Sequence, residues 1–180
     1  ITLKVPLWTT LLAVLAVDPV AYLIASLQRD RQARWLFWVL LAFWTSFLVR
    51  AFAWIVMLGR NGVVNQLLLA LGLQDTPSNL MYSLGAVLVG MVHALMPLAV
   101  LTMLSVMENI DRNLPRAAAT LGARPGTAFW RVYFPLSMPG VAAGAIMVFV
   151  TALGFFIVPA LLGGRREIMI TQLIIEQVQQ

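Results

Sequence analysis

Four apolar runs, at residues 5–27, 35–58, 80–107 and 141–162, leave this chain very little choice of fold. Each reaches the roughly 20 residues that a helix needs to cross about 30 Å of hydrocarbon. Lipid offers no hydrogen-bond partners, so a crossing segment must satisfy its own backbone, and runs of this length do so as helices. The expected fold is therefore an all-α membrane protein, a polytopic transmembrane helix bundle with four complete spans. Composition agrees: 61% of the residues are hydrophobic and 11% charged, whereas soluble domains are nearer half apolar and a quarter charged.

The net charge of +5 would suggest nucleic acid in a soluble protein. Here the arginines lie mostly in the short stretches between apolar runs, which is the bias of Lys and Arg toward the cytoplasm, so no nucleic-acid partner is expected. Residues 28–34 (QRDRQAR) and the island after Met107, with Arg112, Arg116, Arg124 and Arg131, are assigned to the cytoplasm. The stretch 59–79, with only Arg60 and Asp75, is assigned outside, and Arg165 and Arg166 depart from the rule. Cysteine is absent and there is one histidine, so neither disulfides nor a metal site is expected. The chain opens at Ile1 and stops in a polar run without a closing apolar span, so it reads as a fragment. No signal peptide is visible, because the first apolar run lacks a basic lead and a small-residue cleavage site.

Between the spans, Val64, Leu67, Leu68 and Leu71, closed by Gly72, suggest a short amphipathic helix on the outer surface or over the entry to a central pathway. Asp111 is a suitable N-cap for a helix over 114–121, which Gly122 would close in the left-handed conformation. Pro125 suits the first turn of a second helix over 125–133, and Pro135 is expected to end it. Ala117, Ala118 and Ala119 leave the first helix nearly bare, so another backbone can approach it closely. The result is an elbow of two short helices across the membrane ends.

Three ionisable residues fall inside spans, where a charge at mid-bilayer costs on the order of 2.5–3.5 kcal/mol on insertion scales. At about 1.5 Å per residue, Asp18 and His93 come out level near the midplane, either lining a pathway or locking two helices together. Arg50 comes out higher and, with Trp54 one turn on, is expected to anchor the outer end. Pro19, Gly154, Pro159 and the pair Gly163 and Gly164 are candidate hinges, and Gly140 with Gly144 forms a GxxxG pattern that permits tight helix contact.

The island LPRAAATLGARPGTAFWRVYFPLSMPG, Leu114 to Gly140, resembles the coupling loop of ABC importer permeases. The matches are Ala117, Ala118, Leu121, Gly122, Ala123, Phe134, Pro135, Leu136, Pro139 and Gly140, with Arg116 where the family places Glu. The stretches TLKVPLWTTLLA, FWTSFLVRAFAWIVMLGRNGVVNQLLLALGL and LGFFIVPALLGGRREIMI are similar to spermidine/putrescine-type permeases. This likeness implies a type I importer permease domain over residues 1–180 with a coupling loop at about 108–139, in a bacterial inner membrane. It implies contact with a cytoplasmic ATPase dimer through Arg116, Ala117, Ala118, Ala119, Leu121, Gly122, Ala123, Arg124 and Pro125, with Phe129, Trp130 and Tyr133 bracing the elbow. The other implied partners are a second permease subunit and a periplasmic substrate-binding protein.

No GxxxxGK[ST] loop is present, so ATP and Mg are expected on the ATPase and no cofactor on this chain. The implied activity is alternating-access transport of polyamines, with Asp18, Tyr22, Trp44 and Trp54 as cation-compatible pathway groups, or of another small solute such as iron or thiamine. A membrane enzyme would need convergent catalytic groups, and the seven acidic residues are scattered. A passive channel or structural subunit would not need the elbow.

Overall fold

The computed structural model describes residues 3–164 apart from Asp75, Arg112 and Phe156, and the backbone but not the side chains of Pro115 and Arg116. The expectations for Arg165 and Arg166 lie outside the described residues.

Small residues at steps of about four set how the main helices meet. Helix α1 (Lys4–Ser26) buries Val5, Thr9, Ala13, Val17, Ala21 and Ala25 along one face. Helix α8 (Phe134–Gly154) buries Ser137, Gly140, Gly144, Val148 and Ala152 in the same rhythm. Between them, α5 (Leu84–Met107) buries residues along its whole length, and the three helices pack against one another in all pairs. Without a hydrophobic drive between helices in lipid, association rests on close packing, which small residues allow. The GxxxG pair meets this requirement: a Cβ on Gly140 would lie 2.8 Å from Val106 Cβ, and one on Gly144 would lie 2.9 Å from Met103 Cε. Gly90 does the same for α9 (Ile157–Leu162), since a Cβ there would lie 2.6 Å from Leu162 Cδ1. The opposite faces expose Leu7, Leu11, Leu15 and Leu23 on α1 and Ile146, Met147 and Val150 on α8. Helices apolar on every side belong in lipid.

The second span departs from the sequence expectation. Residues 28–34 are not a loop: Arg, Gln and Ala are good helix formers, and α2 (Arg29–Trp44) starts at Arg29. The expected continuous helix over 35–58 is divided at Thr45 and Ser46, both extended, before α3 (Phe47–Leu58) resumes. Thr45 turns its hydroxyl back to Leu41 O at 3.1 Å, the kind of local bond by which Ser and Thr compete with the helix. Residues Phe47–Ala70 also have the length and hydropathy of a span. The turn at 59–62 divides them, however, and α4 (Val63–Ala70) packs back against α3. The crossing is therefore made by α2 and α3 together, and α4 caps the outer end.

The outer cap rests on a polar group as well as on part of its apolar face: Val64 packs against the core and Leu68 is half-buried. Asn65 is buried and its amide donates to Gly59 O at 3.0 Å and Ser78 O at 2.9 Å, while Leu67 and Leu71 are exposed. Gly72 closes α4 with φ +69, and Leu73 N–H returns to Leu68 O. The last span is likewise divided: α8 begins at Phe134, earlier than residue 141, and ends at Gly154 before α9 restarts at Ile157.

Gly144→Leu is expected to lower stability in mild detergent by about 1–3 kcal/mol, the usual cost of overpacking. Gly154→Ala, where a Cβ meets nothing within 4 Å, should leave it unchanged. Thermal unfolding of the two variants checks the contrast.

Candidate functional site

The elbow after α5 is built from local rules. Asp111 Oδ1 accepts from Asn113 N–H at 2.9 Å, which starts α6 (Asn113–Thr120). Gly122, at φ +84, ends it. Ala123 N–H donates to Ala118 O and Gly122 N–H to Ala119 O, both at 3.0 Å, the paired bonds of a Schellman closure. Arg124 is the N-cap of α7 (Pro125–Ala128), with Pro125 at its first position. The surface so formed stands clear of the bundle. Ala117, Ala119, Leu121, Gly122, Arg124 and Pro125 are exposed, Ala118 and Ala123 half-buried, and Leu121 is 89% exposed. Arg116 lies within α6, its side chain outside the described residues.

Pro135 does not end the second helix. The chain widens into one π-helical turn, Phe129–Tyr133, and runs straight on into α8. Phe134 N–H bonds Phe129 O, five residues back. Proline has no amide to give and its ring crowds the carbonyl four residues before it, so a widened turn just ahead of Pro135 relieves both demands. The second helix of the elbow, α7, and α8 are consequently one continuous helical rod, with α6 set off from it by the turn at Gly122.

Aromatic contacts fix that rod to the bundle. Tyr22 of α1 meets Phe129 and Tyr133 edge-on, with centroids 5.2 and 4.8 Å apart. Phe129 and Tyr133 stack on each other. Trp130 packs on Phe129 and Phe134 and is otherwise exposed, so it braces the rod itself and not the bundle. Tyr22 thus clasps the rod at the arginine-rich end. A second tie joins Gln32, buried at the base of α2, to the Glu108 carboxylate at the end of α5. Both arginine-rich segments therefore lie at one end of the bundle, as parity requires.

The intramembrane polar groups are arranged differently from the expectation. Asp18 and His93 share no hydrogen bond. The ends of α1 and α5 adjoin, since Tyr22, Ser26 and Met107 line one hollow. Counting back from them at 1.5 Å per residue puts Asp18 about 12 Å in and His93 about 21 Å in. His93 Nδ1 instead accepts from Trp54 Nε1–H at 3.3 Å, with the rings edge to face. Arg50 does not reach the outer face. Its guanidinium donates to Ala94 O at 3.4 Å and lies 5.8 Å from the Phe47 ring centre, because the break at Thr45 and Ser46 brings the first turn of α3 against the middle of α5. Pro97 follows in that same stretch and cannot donate to His93 O. Asp18 Oδ1 is buried with no hydrogen-bond partner among the described residues, beside Pro19. Trp44, at the end of α2, is 85% exposed. The polar centre of the described residues is therefore Arg50, Trp54 and His93.

Residues 18–179 match the family described as binding-protein-dependent transport system inner membrane component. The chain belongs to that family. It is a multi-pass inner-membrane protein, consistent with its lipid-facing helices. This family member is 35% identical over 173 residues to the spermidine/putrescine transport system permease protein PotB of Escherichia coli, covering 96% of this chain and 63% of that one. The PotB of Haemophilus influenzae is 34% identical over 165 residues, covering 92% and 58%. The molybdenum transport system permease protein ModB of Mycobacterium bovis is 31% identical over 168 residues, covering 93% and 61%. The chain thus spans about three fifths of the length of these relatives.

Tyr22→Ala should loosen the elbow while Tyr22→Phe keeps it, since an edge-to-face aromatic pair contributes about 0.5–1.5 kcal/mol beyond burial. Hydrogen exchange is expected to quicken in residues 113–133 of the alanine variant alone.

Proposed function

We propose that this chain forms the membrane-spanning core of a permease subunit in an ATP-driven importer, with polyamines as its substrates. The elbow supports the reading: a capped helix with three successive alanines, Ala117 to Ala119, and with Leu121 exposed at its end, offers a surface for a separate cytoplasmic ATPase dimer. A subunit closing on that surface pushes a rod continuous with α8. The rod bears on α1 through Tyr22 and on α5 through Gly140 and Gly144. Force delivered below thus reaches α5, where Arg50, Trp54 and His93 meet near Pro97, and moves the helices between inward and outward openings. A second permease subunit completes the pathway and a substrate-binding protein delivers the solute outside. ATP and Mg belong to the ATPase, and this chain catalyses no reaction of its own.

The polyamine assignment is supported by likeness to proteins named for spermidine and putrescine transport, at 34–35% identity. The molybdenum transport system permease protein, at 31%, is named for a different solute, so the substrate is a matter for measurement.

The test uses the full-length subunit with its cognate partners. Leu121→Glu should abolish co-purification of the ATPase and lower spermidine uptake by about tenfold or more, the loss of one central contact residue. Because Leu121 is exposed, folding should be unaffected. Gly122 is a poorer site for the test, since at φ +84 any side chain strains the backbone. Undiminished ATPase binding in Leu121→Glu would overturn the coupling role, and uptake of another solute but not of spermidine would overturn the substrate.

A further inference from the structure

Helix α2 carries a face that the transport reading leaves unused. Arg31, Arg34, Trp35, Trp38 and Ala42 follow one another at helical spacing, so they line one side of the helix from its arginine-rich base toward the membrane centre. The two arginines and two tryptophans wall a recess at the base. Both guanidinium groups are on exposed residues, and among the described residues neither makes a hydrogen bond or ion pair. Asp30, four residues before Arg34, makes none with it either.

Trp35 and Trp38 are also walls of a second recess, directly above the first. This one is an apolar cleft of about 250 Å³ between three helices, closed by Val20 and Ile24 of α1 and by Met96, Pro97 and Val100 of α5, with His93 at its far side. The tryptophans are 56% and 62% exposed. Water has almost no hydrogen-bond partners in such a cleft, and an empty one forfeits the dispersion contacts of its walls. The occupant that fits is long, apolar and flexible above, and anionic below.

We propose that this continuous site holds one anionic glycerophospholipid of the cytoplasmic leaflet. Its phosphate is held by Arg31 and Arg34, its glycerol region lies between Trp35 and Trp38, and one acyl chain fills the cleft between α1, α2 and α5. Charge complementarity selects the headgroup: paired guanidinium forks match phosphate oxygens and have no acidic partner here. Position selects the leaflet, because the arginines mark the cytoplasmic end. Scattered interfacial tryptophans and arginines are common in membrane proteins, but here they frame the mouth of an interhelical cleft. The inference rests on the membrane orientation alone and is independent of the substrate.

The full-length protein, purified in mild detergent, is offered equal amounts of phosphatidylglycerol and phosphatidylcholine, and bound lipid is read by native mass spectrometry. The wild type should retain phosphatidylglycerol. Removing both charges in Arg31→Gln/Arg34→Gln should weaken that retention by about 30-fold, from the usual contribution of a basic side chain near an anionic surface. Arg31→Lys/Arg34→Lys, which keeps the charges, should restore most of it and shows that the loss is not misfolding. Ala42→Trp fills the cleft without touching a charge and should also release the lipid. Equal retention of the two lipids, or undiminished phosphatidylglycerol in the double glutamine variant, overturns the proposal. A photocrosslinker at position 38 that captures a protein segment in place of lipid overturns it as well.

Discussion

The close approach of α5 and α8 at Gly140 and Gly144 is the contact on which the remaining structure depends. Two helices in lipid gain nothing from hiding apolar surface, so they stay together only where their backbones can draw near. The two glycines supply that approach, with Met103 and Val106 filling the space that a Cβ would take. Because α8 is continuous with the elbow through the π-helical turn, this contact is also the point at which a push on the elbow reaches α5. The proposed transmission thus needs no flexible linker: it passes through stiff helices joined by tight contacts.

Against that rigid trio, the α2–α3 crossing is loosely built. It is broken at Thr45 and Ser46, and beside apolar packing by residues such as Leu36, Val39 and Ile55 against the core it is tied to α5 by polar tips: Gln32 to Glu108 at the base, Arg50 to Ala94 O and Trp54 to His93 in the middle. Few small residues on α2 face α5, so the two do not close against each other, and the apolar cleft between them follows. A hydrogen bond reaching across a gap holds two helices without drawing their backbones together.

Fold class was legible in the sequence because hydrophobic length and the need to satisfy the backbone act residue by residue. The caps were legible for the same reason: Asp111, Gly72, Gly122 and Pro125 each act within a few residues of themselves. What escaped was set by neighbours far along the chain or by balances too fine for pattern. The break at Thr45 and Ser46 is a contest between hydroxyl and backbone that an apolar average over 35–58 conceals. Proline 135 reads as a helix end, and only the widened turn before it lets the helix continue. Depth counting placed Asp18 and His93 together because it assumed where α1 and α5 end; both are unbroken, and their ends at Ser26 and Met107 set the two residues at different depths. Once α2 starts at Arg29 and α3 restarts at Phe47, Arg50 and Trp54 become the partners on α5. The clasp by Tyr22 joins residues more than a hundred positions apart and leaves no local mark, whereas Pro97, a proline inside an apolar run, was absent from the candidate hinges.

The π-helical turn sets the heading of α6 as well as joining α7 to α8. Each residue advances an α-helix by about 100° around its axis, so removing a single residue between Phe129 and Tyr133 would restore a regular ladder and swing α6 roughly a quarter-turn about the axis of α8. Leu121 and its alanines would then face a different quarter, and Phe129 would leave its place against Tyr22. One surplus residue therefore acts as a compass bearing for the entire protrusion.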